Sequence, residues 1–461
     1  MQLQASELNL VSGSDHWAIA VDSAVNSAAA AFPVWSRMPV AERAVILRTM
    51  MDVLDARREE FYDLAAKEVG ASHAWTSFTI DLAIGMLAHV VSLAPALEDS
   101  EVVDPQTGKR SIIRRQPAGV VLGMVPWNAP IVLGVRAVAG ALMCGNTVVM
   151  KGSEHCPKTH QHLVHVLNGA GLPDGVLKCV VSDPEDAHDT MAQLIAHPCI
   201  RRINFTGSTR VGRDVAMEAA RYLKPVLLEL SGKAPLIVLE DADLDAAVEA
   251  ACFGAFFNQG QICMSTDWII VVKSVADAFV AKLQARTAQI KAADPVAEIA
   301  TLGRLISADA AKRVNDLIED AVSKGACLLV GGQIDGCVMQ PALLDGIAAN
   351  MRLYREETFG PLASIMRVYD AEEAVSIAND SEFGLNAAVF TRNLDRAQAI
   401  ADRLEYGVVQ INGPTVHDDP AMPFGGMKNS GYGRFGGEQA INEFTELRWI
   451  ATHQAGHTPT L

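Results

Sequence analysis

Cys263 has the surroundings that most favour covalent chemistry. It ends the stretch FFNQGQIC, which is polar and contains a glycine, and it precedes WIIVV, a predicted strand. A thiol exposed at the end of a sheet can reach a substrate, and its thiolate form is the effective nucleophile. Most free cysteines, however, are small buried apolar residues. Cys263 is therefore a candidate nucleophile whose assignment depends on other residues.

Two polar residues in apolar contexts can assist such a nucleophile. Glu229 closes the apolar run VLLE just before Ser-Gly-Lys, and burial raises the pKa of a carboxyl group so that it can act as a general base. Asn128, in GMVPWNAP, offers an amide NH2 that can hold a developing oxyanion. The structural alternatives are an ion pair between Glu229 and Lys233, and a turn formed by Asn128 before Ala-Pro.

Two further segments have features typical of nucleotide binding. In INFTGSTRVG a strand leads through Gly207 and Ser208 into a helix, whose free N–H groups attract phosphate. In NTVVMKGSEHCP a strand presents Lys151 at its carboxyl end, and Glu154 follows. A carboxylate at 154 accepts hydrogen bonds from ribose hydroxyls and repels a 2′-phosphate, which favours NAD over NADP. An ordinary strand-to-helix turn and an exposed loop are the alternatives.

Alternating strand and helix patterns surround these residues. Residues 15–95 have helical periodicity, and residues 101–116 alternate as a hairpin with Asp-Pro and Thr-Gly as turn signals. Four predicted strands then alternate with helices, and a second α/β series covers residues 235–409. The four strands are GVVLGMVP, NTVVMK, LKCVVS and RRINFTG. This rhythm predicts an α/β fold with parallel sheets covered on both faces.

The composition limits the classes of partner. The 461 residues carry a net charge of −16, which argues against nucleic acid and anionic membranes. The eight cysteines form no C-x-x-C pair and no zinc-like spacing with histidine, which predicts reduced thiols and no metal site. The start MQLQASELNL lacks a signal-peptide pattern, and polar residues and prolines interrupt the apolar stretch 117–150. We therefore predict a cytoplasmic protein in which this stretch is a core segment.

These motifs together resemble those of the aldehyde dehydrogenase superfamily over nearly the whole chain. In the family's order they are PWNAP, TVVMKGSE, NFTGS, LELSGKAP, NQGQIC, EETFGP and MPFGGMKNSGYGR, and Glu229 precedes Cys263 by the family's usual 34 positions. The resemblance implies a Rossmann-like NAD-binding domain (1–98 and 118–231, with 426–444), an α/β catalytic domain (232–425) and a small β oligomerisation module (99–117 and 445–461). It also implies a homodimer or homotetramer.

The resemblance assigns a role to each candidate. Cys263 attacks a small-molecule aldehyde, Asn128 and the Cys263 backbone N–H hold the oxyanion, NAD (or NADP) accepts hydride, and Glu229 activates water to hydrolyse the thioester. The residues implied to bind the cofactor are Pro126, Trp127, Lys151, Glu154, Gly207, Ser208, Leu230, Gly232, Glu357 and Phe359. Two departures are a short N-terminus and the stretch SDPEDAHDTMAQL, which lacks the glycines of many relatives.

Arg136 bears on the choice of aldehyde. It lies two helical turns after Asn128, where many relatives have Trp, and a buried Arg needs an anionic or strongly accepting partner. Together with PTVHDDPAMPFGG and GRFGG, it resembles the salicylaldehyde and vanillin dehydrogenase branch, which implies a hydroxylated aromatic aldehyde. The residues predicted to line the substrate pocket are Trp127, Leu133, Arg136, Phe257, Ile262, Met264 and Phe424.

Three alternatives stay open on sequence alone. Arg136 binds the carboxylate of a semialdehyde substrate, or it pairs with a neighbouring acidic residue of the protein itself. The third is a catalytically silent binding or structural protein that keeps the fold. The joint presence of Cys263, Glu229, Asn128 and Lys151 argues against the third alternative, because a silent protein has no reason to keep all four.

Overall fold

The computed structural model describes residues 14–103 and 110–452, which form a mixed α/β protein. Its α-helices are α1 Ser14–Trp35, α2 Val40–Ala56, α3 Arg58–Val69, α4 His73–Ser92, α5 Pro130–Met143, α6 Pro157–Asn168, α7 Ala187–Ala196, α8 Thr209–Arg221, α9 Leu244–Phe256, α10 Lys273–Thr287, α11 Ala308–Ser323, α12 Ala371–Asn379, α13 Leu394–Ala401 and α14 Gln439–Phe444. Its strands are β1 Ser100–Val103, β2 Arg110–Pro117, β3 Val120–Met124, β4 Thr147–Lys151, β5 Leu177–Val180, β6 Ile200–Thr206, β7 Val226–Glu229, β8 Ala234–Val238, β9 Thr266–Val272, β10 Cys327–Val330, β11 Ile334–Asp335, β12 Val338–Met339, β13 Ala342–Asp345, β14 Leu362–Val368, β15 Phe383–Gly384, β16 Asn386–Phe390, β17 Val408–Ile411, β18 Met427–Lys428, β19 Gly431–Tyr432 and β20 Thr445–Thr452.

A six-stranded sheet has the order β19-β7-β6-β3-β4-β5. Strands β3 to β7 are parallel, and β19 joins the edge antiparallel to β7. Because β4 and β6 lie on opposite sides of β3, the chain changes direction across the sheet between β3 and β6, where open α/β sheets bind ligands. The segments 126–128 and 207–208 follow these two strands and meet at this point. The four strands predicted from the sequence are confirmed as β3 to β6, with α5 to α8 as the alternating helices.

A seven-stranded sheet has the order β10-β13-β14-β9-β8-β16-β17, with β10 antiparallel at one edge and all other pairs parallel. Its central strands β8 and β9 are fully buried, because their apolar side chains face helices on both sides. Residues 230–233 alone connect β7 to β8. The carboxyl edge of the first sheet therefore meets the amino edge of the second. The predicted α/β fold class is confirmed.

A separate three-stranded antiparallel sheet has the order β1-β2-β20. The predicted hairpin over residues 101–116 is confirmed as β1 and β2, while its turn signals lie in residues 104–109, outside the described part. Several apolar side chains of this sheet are exposed, among them Val102 and Leu447. The domain boundaries and the oligomerising role of this sheet stay predictions, and the ends 1–13 and 453–461 also lie outside the described residues.

The apolar stretch 117–150 forms β3, α5 and β4 and is buried almost throughout, so its prediction as a core segment is confirmed. One described helix, α4, is long and apolar enough to span a membrane by length and composition, but half of its apolar window is buried inside the protein. It packs on α2, α3 and α5. These contacts identify α4 as a core helix that supports α5, the helix following Asn128.

Candidate active site

A cavity of about 290 Å³ lies where the edges of the two large sheets meet. The predicted residues that line it are Pro126, Trp127, Asn128, Leu133, Gly207, Ser208, Glu229, Cys263, Glu357 and Phe359. Thr206, Ser231 and Arg313 also line it, and the sequence analysis did not identify them. The cavity therefore brings the three candidate catalytic residues together with most of the candidate cofactor residues.

Cys263 lies on a rigid turn between a 3-10 helix, Phe257–Gly260, and β9. Asn258 and Gln259 within this turn have φ of 49° and 55°, a left-handed conformation that costs energy for residues other than glycine and is kept where neighbours fix it. Gln259 provides this fixation, because its side chain accepts from the Gly303 N–H at 2.8 Å and donates to the Arg304 carbonyl at 3.1 Å. The thiol is thus presented from a conformation that the surrounding structure holds in place.

Asn128 is buried next to the same turn. Its amide Nδ2 donates to the Gln261 carbonyl at 2.9 Å, while its backbone carbonyl accepts from Trp75 Nε1 at 3.1 Å and from Asn258 Nδ2 at 3.0 Å. The bond to Gln261 orients the side-chain amide and uses one of its two N–H groups, while the other two bonds hold the backbone of Asn128. Because Asn128 lines the cavity, the second N–H is available to an oxygen bound there.

Glu229, at the end of β7, is 1% exposed, and neither carboxyl oxygen has a hydrogen-bond partner of good geometry among the described residues. Burial raises the pKa of this carboxyl to about 7, and the cation Arg136 and the neighbouring Cys263 thiol oppose the rise. The suggested pairing of Glu229 with Lys233 is wrong, because Lys233 pairs with Asp267. Glu229 is therefore a carboxyl group that exchanges protons near neutral pH.

Burial also raises the pKa of the Cys263 thiol well above its ordinary value, and the adjacent Glu229 adds to the rise. The thiol therefore holds its proton more strongly than an ordinary cysteine does, and a carboxyl group that can accept this proton lies beside it. The other seven cysteines are free as well, and none of them lines this cavity.

Glu357 lies on the opposite wall, in the loop before β14, where its Oε1 accepts from the Gly232 N–H at 2.9 Å. Burial raises its pKa to about 7, against the effect of Gly232 and Ser231. Arg313, on α11, also lines the cavity and donates to the Glu357 carbonyl at 3.1 Å, which fixes the loop. Gly232 must be glycine, because a Cβ there would lie 2.1 Å from the Cys263 carbonyl oxygen.

A buried ion pair beneath Glu357 was not predicted. Lys233 Nζ contacts Asp267 Oδ1 at 2.7 Å and donates to the Glu356 carbonyl at 2.7 Å. Asp267 Oδ2 accepts from the Thr358 N–H at 2.8 Å. The pair thus joins the start of β8, the start of β9 and the loop that carries Glu357.

We expect the Lys233→Ala variant to lose about 3–5 kcal/mol of unfolding free energy, because Asp267 is left as a buried, unpaired charge. The KM for the cofactor is expected to rise as the Glu357 loop loosens. Equilibrium denaturation and steady-state kinetics measure the two effects. Lys282→Ala is the matched control, since it breaks an exposed Lys–Asp pair worth less than about 1 kcal/mol. Equal losses in both variants would contradict the assignment.

Three cofactor candidates lie at or just after the ends of strands in the first sheet. Of these, Ser208 lines the 290 Å³ cavity, whereas Lys151 and Glu154 do not. Lys151 Nζ lies 3.5 Å from Glu154 Oε2 at the end of β4, and Ser208 caps α8 by accepting from the Val211 N–H at 3.3 Å. A Cβ at Gly207 would lie 2.5 Å from the Phe205 ring, so only glycine leaves this surface open. A cation, hydroxyls and a helix N-terminus fit the phosphates and riboses of a pyridine dinucleotide.

Leu230 does not line the cavity. Its side chain packs on Gly212 and its N–H donates to the Ser430 carbonyl at 3.0 Å, so it is a core residue. The glycine-poor segment 182–194 forms a 3-10 turn, Pro184–Asp186, and most of α7. Among the described residues no cluster of His, Cys, Asp and Glu is arranged to hold a metal.

The predicted substrate residues separate into two groups. Trp127 and Leu133 line the 290 Å³ cavity, whereas Arg136 and Phe424 line a smaller one of about 30 Å³. Ile262 and Met264 are buried, and the Phe257 ring packs on those of three other aromatic residues, Trp75, Phe78 and Phe253. The prediction that Arg136 needs an acidic or accepting partner is confirmed, since its guanidinium pairs with Asp418.

Comparison with known proteins agrees with this geometry. The model of the aldehyde dehydrogenase family matches residues 6–450. A vanillin dehydrogenase of Pseudomonas fluorescens is 52% identical over 93% of this chain and 89% of its own length, and a salicylaldehyde dehydrogenase of Pseudomonas putida is 45% identical over 93% and 89%. The crystal structure of the salicylaldehyde dehydrogenase of Pseudomonas putida G7, complexed with salicylaldehyde, superimposes with a TM-score of 0.94 at 42% identity, covering 96% of this chain and 92% of that one.

The chain belongs to the aldehyde dehydrogenase family. It is an oxidoreductase that acts on an aldehyde with NAD(P) as the hydride acceptor, as the resemblance predicted.

Proposed function

We propose that this enzyme oxidises an aromatic aldehyde to its carboxylate through a thioester on Cys263. The observation that carries the proposal is the convergence of Cys263, Glu229 and Asn128 on one cavity that is also lined by cofactor candidates. The names of the similar enzymes support the aromatic class, and so do the apolar and aromatic walls formed by Trp127, Leu133 and Phe359.

In the first half of the reaction, the Cys263 sulfur forms a bond to the aldehyde carbon while the thiol proton passes to Glu229. The Asn128 amide and the Cys263 backbone N–H hold the resulting oxyanion. NAD(P)⁺, held by the cofactor candidates that line the cavity, would supply the oxidising power as the acceptor of the hydride that leaves this carbon. The C–O⁻ bond becomes a carbonyl again, and the product is a thioester on Cys263.

Between the two halves, Glu229 releases the thiol proton to solvent. In the second half, water attacks the thioester carbon and the Glu229 carboxylate accepts a proton from it. The C–S bond breaks, the thiolate leaves, and the acid is released as carboxylate. Glu229 suits both halves, because a group with a pKa of about 7 accepts and releases protons near neutral pH. Asn128 serves the oxyanions of both halves.

The aromatic proposal is tested by comparing kcat/KM for salicylaldehyde, vanillin, benzaldehyde and a short aliphatic aldehyde. We expect the aromatic substrates to be preferred, because a ring buries more apolar area against Trp127 and Leu133. A preference for the aliphatic aldehyde would remove the aromatic proposal. The Cys mechanism would survive that result, since it depends on the carbonyl end of the substrate.

We further propose that NAD is the preferred cofactor. The Glu154 carboxylate lies 3.5 Å from Lys151 and is partly exposed, so it can accept from ribose hydroxyls and repel a 2′-phosphate. We expect Glu154→Gln to raise kcat/KM for NADP⁺ about tenfold and to lower that for NAD⁺ several-fold, measured with each cofactor in turn. Glu372→Gln, at an exposed ion pair with Arg403, is the control and is expected to change neither value. An unchanged cofactor ratio in Glu154→Gln would contradict the role of Glu154.

We infer that the three-stranded sheet joins subunits into a homodimer or homotetramer. Its exposed apolar side chains, including Val102 and Leu447, support this role. Light scattering after size exclusion tests it, and a monomeric wild type would refute it. The cytoplasmic location stays a prediction.

A further inference from the structure

Arg136 and Asp418 form a buried ion pair between segments far apart in the chain. Arg136 lies in the middle of α5, and Asp418 lies in the loop between β17 and β18. Arg136 Nη2 donates to Asp418 Oδ2, and the two side chains are only 7% and 4% exposed. Neither charge therefore has bulk water as a partner, and each depends on the other.

The walls around the pair are apolar. The guanidinium carbon lies 4.5 Å from the centre of the Phe424 ring and 5.7 Å from that of Phe435. Together with Met86 and other residues these rings enclose the cavity of about 30 Å³ that Arg136 and Asp418 line. In such surroundings an unpaired cation is costly, so Arg136 without Asp418 would bind another anion strongly.

The pair also lies within reach of the reacting groups. Leu133 lines the catalytic cavity and precedes Arg136 by three residues on α5, so the two side chains lie on the same face of the helix. Burial raises the pKa of both Glu229 and Cys263, and the positive charge of Arg136 opposes this rise in each. One turn of α5 thus separates the wall of the catalytic cavity from Arg136, while the two cavities share no lining residue.

We propose that Asp418 is a specificity-determining residue: its carboxylate occupies the Arg136 guanidinium, so that the enzyme accepts aldehydes with an uncharged far end and rejects those that carry a carboxylate there. The inference rests on the proposed aromatic function and deepens it. It also weighs against the semialdehyde alternative, because the cation that would bind a substrate carboxylate is already neutralised within the protein.

The expected selectivity arises because Asp418 and a substrate carboxylate compete for the Arg136 guanidinium. Asp418 is held beside Arg136 by the fold, so a substrate carboxylate must displace a carboxylate present at high effective concentration. If it fails to displace Asp418, it is buried beside a like charge and loses its hydration without compensation. An uncharged ring suffers neither cost and packs on Phe424 and Leu133.

The experiment compares two aldehydes of similar shape, 4-methylbenzaldehyde and 4-formylbenzoate. For the wild type we expect kcat/KM to favour the methyl compound by at least about 100-fold. Asp418→Asn keeps the shape and a hydrogen-bond acceptor but frees the charge of Arg136. In this variant we expect the ratio to shift towards 4-formylbenzoate by about tenfold or more.

The double variant Arg136→Met/Asp418→Met is the matched control, since it removes both charges and leaves the pocket apolar. We expect it to retain the wild-type preference for the methyl compound. An equal shift in the double variant, or no shift in Asp418→Asn, would overturn the inference. Equal kcat/KM for both aldehydes in the wild type would also overturn it, without reliance on how any variant folds. Failure of the wild type to oxidise 4-methylbenzaldehyde would instead refute the proposed function.

Discussion

The Cys263→Ser variant is expected to lose at least about 10⁴-fold in kcat for aldehyde oxidation. A serine hydroxyl is a much weaker acid than a thiol, and Glu229, with a pKa of about 7, cannot remove its proton effectively. The substitution changes one atom on a turn held by its own hydrogen bonds, so the fold is expected to stay intact. Formation of the reduced cofactor is measured by absorbance, and thermal unfolding checks the fold.

Cys327→Ser is the control for the loss of a thiol. Cys327 is exposed on the edge strand β10, far along the chain from the catalytic turn, and it does not line the cavity. Its substitution is expected to leave kcat unchanged. If the Cys263→Ser variant turned over aldehyde at the wild-type rate, the covalent mechanism would be refuted, whatever the behaviour of the control.

The Glu229→Gln variant is expected to accumulate the thioester. An amide cannot accept a proton from water, so hydrolysis slows by about 10²–10⁴-fold. Because Glu229 also accepts the thiol proton in the first half, the reaction is mixed at alkaline pH, where hydroxide can remove that proton. There we expect a burst close to one reduced cofactor per active site, followed by slow turnover. Intact-protein mass spectrometry of the quenched reaction should detect the acyl group on Cys263.

The pH profile provides a second measurement for Glu229. Because the carboxyl must be unprotonated to accept a proton, the wild-type rate is expected to rise as the pH increases through about 7. Glu229→Gln should lose this limb. Glu357→Gln is the matched comparison. The pKa of Glu357 is also raised to about 7, but this residue lies beside Phe359, on the part of the cavity predicted to bind the cofactor. We expect it to raise the cofactor KM without a burst. A burst in Glu357→Gln and none in Glu229→Gln would reverse the two assignments.

The elements around the site were predictable because local patterns specify them. The alternation of β-rich and helical runs identified β3 to β6. Lys151 was predicted as a site residue because its strand presents it at the carboxyl edge of the sheet, and Ser208 because a strand leads there into a helix. Glu229 was assigned as a base from its position at the end of a buried strand. The structure adds the absence of a good partner for it among the described residues, which spacing alone cannot specify.

The pairing of charges was less predictable. Lys233 has two plausible anions, the nearby Glu229 and the distant Asp267, and only the packing of β8 against β9 selects the second. Arg136 called for an anion, but its partner is 282 positions away and meets it through the packing of a loop on α5. Leu230 was predicted to contact the cofactor, but its side chain packs into the core although its neighbour Glu229 lines the cavity. Sequence patterns identify the need for a partner better than the partner itself.

The solitary burial of the Glu229 carboxyl also affects the conformational stability of the enzyme. Its pKa of about 7 in the folded chain lies above its ordinary value of 4.5, so between these values the folded state binds more protons than the unfolded state. By linkage, this group's contribution to stability falls as the pH rises from 4.5 to 7, and above pH 7 the penalty is complete, on the order of 3 kcal/mol. The protonation state of Glu229 that performs the chemistry is thus the one in which this carboxyl group destabilises the folded chain.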